Sequence, residues 1–385
     1  SFNNALGFHT LNNNTTGERN VAIGYRALCD NTTGEHNVAV GGDALGSNIC
    51  GNFNTAVGDC AMITNTIGSQ NTAVGRMALC KNTTGVNNVA IGVSALVCNV
   101  TGQSNVAIGC AALFENTADG NTAVGLRSLC KNTVGTANTA IGMLALQKNT
   151  TGTNNTSIGS QSMLNNTIGE HNTAIGRDTL RTNTTACFNS AIGYQALCKN
   201  TTGANNTAVG STALFGVTNG DYNIGIGKAA GDNLTTGAGN VIIGSTDAGS
   251  ATGDRQLKIA GYDGTTTTTW LTGDSSGNLT TVGDVNLAND KKVIFGDAGE
   301  HIAGDGTNLA ITTSNQLHLM VSGRLGINTS SPSKQVQIAA TASDQPFLRL
   351  ETTDGGNKRL DLSVQSSNGV IEAKQSAQCL IFDAT

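Results

Sequence analysis

The chain of 385 residues carries 50 Gly but only 2 Pro, and 38% of it is apolar, which excludes a disordered Gly/Ser linker. Its formal charge is −5, with only 12% of residues charged, and that excludes binding to nucleic acid through a basic face. No run approaches the 18 or so consecutive apolar residues of a membrane-spanning helix, so no membrane insertion is expected.

The chain opens on Ser1-Phe2-Asn3 in mid-pattern and is read as an excised or processed piece, so a missing targeting signal carries no meaning. From there a Gly preceded by Ile, Val or Leu recurs fifteen times, at Gly7, Gly24, Gly41 and onward to Gly244, and thirteen of the fourteen intervals are 17 residues. The exception, Gly109 to Gly125, is 16. Counting from that Gly, position −4 is Asn in all fifteen copies, position −2 is nearly always Ala, and positions +3 and +4 usually read Ala-Leu. A second Asn at −10 opens Asn-Thr-Thr-Gly in many copies, as at Asn31 to Gly34.

A period of this length marks a stacked repeat. Asn-Thr-Thr-Gly is turn chemistry, and Asn, Thr and Gly are poor helix formers. The expectation is an all-β parallel β-solenoid over residues 1–248, with two short strands and two turns per coil. The Asn columns should form amide ladders, and fourteen coil steps of ~4.8 Å give a rod about 67 Å long. Because successive strand residues face opposite sides, Ala at −2 points into a narrow lumen and the aliphatic at −1 points out. That outer stripe needs a cover, and another copy of the chain in a symmetric bundle about a common axis would supply one.

Units such as Asn20-Val21-Ala22-Ile23-Gly24 and Asn71-Thr72-Ala73-Val74-Gly75 resemble the head repeats of YadA-like trimeric autotransporter adhesins. Ala191-Ile192-Gly193-Tyr194-Gln195-Ala196-Leu197 is similar to the longer repeats of phage and large-virus tail-fibre proteins. The resemblance implies a left-handed parallel β-roll, a homotrimer, and an extracellular or virion fibre. Bacterial heads usually have a shorter unit, so the extra Ala-Leu segment favours the tail-fibre branch.

After Gly244 the repeat stops. Residues 249–334 read as a β-rich stalk, with strands such as Lys292 to Gly296, and Gly323 to Pro332 resembles segments preceding the distal parts of phage tail fibres. Alternation at Phe347 to Glu351 and Leu360 to Val364 predicts a small antiparallel β domain over 335–385.

Sites for chemistry are few. Cys29, Cys80, Cys130 and Cys198 share position +5, in coils too far apart to pair within a chain; interchain disulfides and half-buried free thiols are the two readings, the second preferred. No Cys-x-x-Cys pair or His-x-His ladder supports a metal, and Asp-Gly runs at 296–305 and 354–356 read as turns rather than calcium loops. Asn-x-Thr triplets match the glycosylation sequon because the turns already require Asn and Thr. No catalytic constellation recurs and no cofactor is expected. An acyltransferase solenoid would need a six-residue period, and an ice-binding face would need flat arrays of exposed Thr.

The leading expectation is therefore a non-enzymatic, structural and adhesive trimeric fibre on a virion surface, the alternative being the head of a bacterial adhesin. It would attach to a host-cell glycan or protein receptor and join other fibre or tail proteins. The repeats offer a uniform surface, so recognition is expected in residues 250–385, where Trp270, Phe347, Arg349, Lys358 and Arg359 are of types that make strong contacts.

Overall fold

The computed structural model describes residues 2–283 and 285, together with the backbone of five further strands at Leu325–Ile327, Val336–Ile338, Leu348–Glu351, Arg359–Gln365 and Asn368–Lys374. Among the described residues there is no helix. A parallel β-solenoid of about fifteen turns fills the first part of the chain. Each coil contributes one three-residue strand, from β1 (Asn4–Leu6) to β15 (Val241–Ile243), and each pairs in parallel with the equivalent residues of the next coil, as in Thr72↔Val89, Ala73↔Ala90 and Val74↔Ile91.

The lumen follows the inward pattern of the repeat. Ala at −2 and +3 and Leu or Met at +4 are fully buried from Ala22 to Leu214. Both Asn columns line the same interior with no exposed surface in most coils. Their amides divide the work. At −4 the side-chain oxygen accepts the backbone N–H of the next Asn (Asn88 N to Asn71 Oδ1, 2.9 Å) while Nδ2 donates to a turn carbonyl (Gly102 O, 2.8 Å). At −10 the amides bond one another, as in Asn82 Nδ2 to Asn65 Oδ1 at 2.8 Å. Such satisfaction is what allows amides into an interior where an unpaired one costs about 1–3 kcal/mol.

The expected second strand per coil is absent. The Ala-Leu limb still bonds coil to coil, as in Leu28 N to Ala44 O at 3.0 Å, but Leu or Met at +4 holds φ near +50° in every coil from Leu11 to Leu214. Residues at +2 and −5 are left-handed as well, for example Arg26 and His36. Left-handed φ costs about 1–2 kcal/mol per L-residue. Burying the Leu side chain contributes roughly 1.5–3 kcal/mol, which offsets the strain at +4 itself. Accordingly, no β-branched residue occupies +4 or −5 in any coil through Leu214, since a second branch at Cβ makes this φ still more costly; at +2, Thr212 is the one β-branched residue that adopts it, at φ +55°. The invariant Gly holds φ between +129° and +139° from Gly24 to Gly227. A Cβ there would stand 2.3–2.8 Å from the carbonyl oxygen of the equivalent Gly one coil on.

Two departures from the repeat are absorbed locally. In the 16-residue coil the missing residue is taken from the turn after Asn116, where Gly120 (φ +68°) fills the left-handed corner and Ala118 supplies the carbonyl that Asn105 Nδ2 bonds at 2.8 Å. That coil breaks the −10 ladder, leaving Asn99 Oδ1 buried without a partner. Asn200 Oδ1 is orphaned for a different reason: the next two −10 positions are Val217 and Leu234, both buried. The last coils also exchange volumes, with buried Ile242 replacing Ala at −2 and Gly231 replacing Leu at +4. A Cβ on Gly231 would lie 3.2 Å from the Ile242 side chain.

The sheet continues past the last repeat. β16 (Leu257–Tyr262) pairs in parallel with β15 through Leu257, Lys258 and Ile259, then turns back antiparallel into β17 (Thr267–Gly273) and β18 (Leu279–Thr281). Residues 1–288 form one compact unit and residues 289–385 another. In the second, β19 (Leu325–Ile327) pairs in parallel with β20 (Val336–Ile338), while β21 (Leu348–Glu351), β22 (Arg359–Gln365) and β23 (Asn368–Lys374) form an antiparallel sheet.

Candidate functional site

Two surfaces of the first unit stand out: the outer face of the strand column and the hairpin at its end. On the column, −1 residues point outward as the alternation requires. Ile23, Ile91, Ile141 and Ile175 keep 36–39% of their surface even though stacked copies flank them above and below. The stripe runs without a polar interruption from Leu6 to Ile243. The −5 corner is decorated differently: His36 stacks on Phe53 with centroids 4.8 Å apart, and His171 on Phe188 at 5.0 Å.

The end hairpin arises from local chemistry. Gln256 takes the place of the ladder Asn, its backbone N–H reaching Asn240 Oδ1 at 2.8 Å and its amide tying down the carbonyls of Ser250 and Gly253. Asp263 closes the β16–β17 turn. Its Oδ1 accepts the N–H groups of Thr265 and Thr266, both at 2.8 Å, and these bonds hold its carboxyl down at about 2.

Between Ile259/Ala260 and Leu271/Thr269 the register shifts, leaving Trp270 as the extra residue of a β-bulge. Bulges re-aim side chains. Here the indole lies against the backbone of Gly261, where a Cβ would come within 2.5 Å of the ring, and 58% of Trp270 stays exposed.

The opposite face of the hairpin carries Lys258, buried Ala260, Thr267 and Thr269. With Ser245, Thr246 and Asp247 of the last coil they line a groove of about 480 Å³. The expected recognition region, residues 250–385, includes Lys258, Thr267 and Thr269, but no motif marks the groove itself, because its residues are common types from separate segments. The available signal was the end of the repeat itself at Gly244.

Beside the groove, Asp232 faces Asp247. Burial, followed by the hydrogen bond and the charge of Asp247, pushes the Asp232 carboxyl up to about 6. The sign follows directly. A carboxyl raised above its unfolded value favours the fold while protonated, so stability is lost as pH rises from about 4 to about 6 and is level beyond. The last coil should therefore show greater amide protection at Gly231, which donates to Thr246 O at 2.9 Å, at pH 4.5 than at 7.5. Asp232→Asn should flatten that dependence in hydrogen exchange.

The other expected residues belong to the second unit or lie outside the described residues. Arg349 stands opposite Asp361, and Arg359 opposite Glu351, in the antiparallel sheet of the second unit, a different unit from that of Trp270. Phe347 and Lys358 lie outside the described residues, as do the Asp-Gly runs at 296–305 and 354–356.

All nine described cysteines are free. Cys29, Cys130 and Cys198 are buried and Cys80 is half-buried, and desolvation raises the thiols of Cys80, Cys130 and Cys198. Among the described residues no group of His, Cys, Asp and Glu is placed to hold a metal ion, and no helix is long and apolar enough to cross a membrane.

Comparison with protein-family profiles, with curated proteins and with solved structures yields no match.

Proposed function

We propose that the chain is a structural and adhesive segment of a trimeric fibre, of the viral tail-fibre kind, that attaches a particle to a host-cell surface. The observation carrying this reading is the outer stripe. Fifteen aliphatic side chains, one per coil, form a continuous apolar column along the outside of the solenoid, and a stripe of that length left in water invites association. Three copies related by a common axis cover it with a self-consistent interface. The left-handed winding and the choice of three over two come from the resemblance of the repeats to tail-fibre and adhesin sequences. So do the extracellular, virion-surface location and the joining to other fibre proteins. The reading assigns no catalysis.

Mass photometry of the purified chain should give about three times 39.0 kDa. A truncation ending near Gly249 should keep that threefold mass, scaled to its length, but lose binding on a microarray of cell-surface glycans. A monomer at micromolar concentration refutes the fibre reading, and undiminished binding by the truncation moves recognition onto the repeats.

A further inference from the structure

The groove between the last coil and the end hairpin has the composition of a carbohydrate site, and we infer that it binds a neutral pyranoside. It is formed by Ser245, Thr246 and Asp247 on one side and Lys258, Thr267 and Thr269 on the other, with Ala229 as its one apolar wall. At about 480 Å³ it lies within the range of small-molecule sites, roughly 300–1,000 Å³. Its lining is unlike that of most such sites, which are predominantly apolar.

Four hydroxyls can each donate or accept, the ammonium of Lys258 donates only, and the carboxylate of Asp247 accepts only. A ring of adjacent hydroxyls, each both donor and acceptor, matches that mixture. One cation and one anion leave the lining itself without net charge, and Asp232 behind Asp247 disfavours a carboxylate ligand. No aromatic ring is among the residues that line the groove, and Trp270 sits on the other face of the hairpin beside Gly261, so a flat aromatic ligand is not favoured. With so little apolar surface the site is weak in one chain and gains strength from repetition on a fibre.

The inference rests on the attachment reading above, and the experiment separates the two. Saturation-transfer NMR on the full chain would use methyl glucoside, galactoside and mannoside at ~10 mM, enough to fill sites with Kd of about 1 mM. Methyl glucuronide and indole serve as contrasts. Ring-proton transfer is expected from at least one neutral pyranoside, with a drop of about fivefold or more in Lys258→Met and in Thr269→Val and no change in Trp270→Ala. Thr267→Ala, on the exposed edge of the hairpin, replaces either variant that melts early. Transfer to none of the three, transfer only to the glucuronide or indole, or full transfer in the groove variants overturns the proposal. A trimer that takes no pyranoside overturns the groove alone, and a monomer that takes one overturns the fibre reading alone.

Discussion

Asn88→Asp should cost the solenoid about 3–5 kcal/mol, the range for a charge left buried without its partner. The substitution changes almost no volume. It removes the two donations that Asn88 Nδ2 makes, to Gly102 O at 2.8 Å and to Asn71 Oδ1 at 3.1 Å, and turns a carboxylate toward both oxygens. The bonds Asn88 accepts from Asn105 survive, so the loss reports on donation and charge. Because coils contact only their neighbours, damage should be local: hydrogen exchange should accelerate in the coils around Asn88 while those beyond Thr156 keep their protection. The deficit should shrink as pH falls through the raised pKa of the new carboxyl, since protonation restores a donor. An unchanged melt at pH 7 would show that the ladder is ornamental.

Val74→Asp combined with Ile91→Asp should separate the chains without unfolding them. Both side chains point out of the solenoid, and Ile91 keeps 39% of its surface in a single chain, so Asp is hydrated in the monomer. In a three-chain interface each layer would bring together three unpaired carboxylates, each costly to bury. Mass photometry should fall from about three chains to one while the far-UV spectrum is kept. Threefold mass in the double variant would place the interface elsewhere. The ladder variant thus tests the fold, and the stripe variant tests the proposed assembly.

The solenoid was legible because its signals repeat. Ala at −2, Ile or Val at −1 and Asn at −4 recur through nearly every coil, and strand alternation alone assigns them inside, outside and inside. The Ala-Leu limb misled because an apolar pair next to turn residues reads as a strand. Leu carries no positive mark of a left-handed backbone. The mark was negative, the lack of Val, Ile and Thr at +4 and −5, and an absence over fifteen copies is harder to notice than a repeated Asn. Trp270 was singled out as the only Trp, but its exposure depends on a one-residue register shift and on Gly261 across the hairpin. The groove was invisible for the same kind of reason: Asp247 and Lys258 are brought together by the return of the chain after the last coil.

The exchange of volumes at Gly225, Gly231 and Ile242 bears on how a chain of near-identical units finds its frame while folding. Any coil could in principle stack on the wrong neighbour by looping out 17 residues, since most copies present the same three-residue strand and the same Asn columns. Such a slip would cost little within the uniform middle. It meets resistance at the end, because the Ile242 side chain takes the space left by Gly231, and Leu214 takes that left by Gly225, where a Cβ would lie 2.6 Å from its Cγ. Only one alignment of the last coils fills the lumen without overlap. The 16-residue coil after Gly109 serves as a second index mark, so a nucleus that forms at either place propagates in phase with the other.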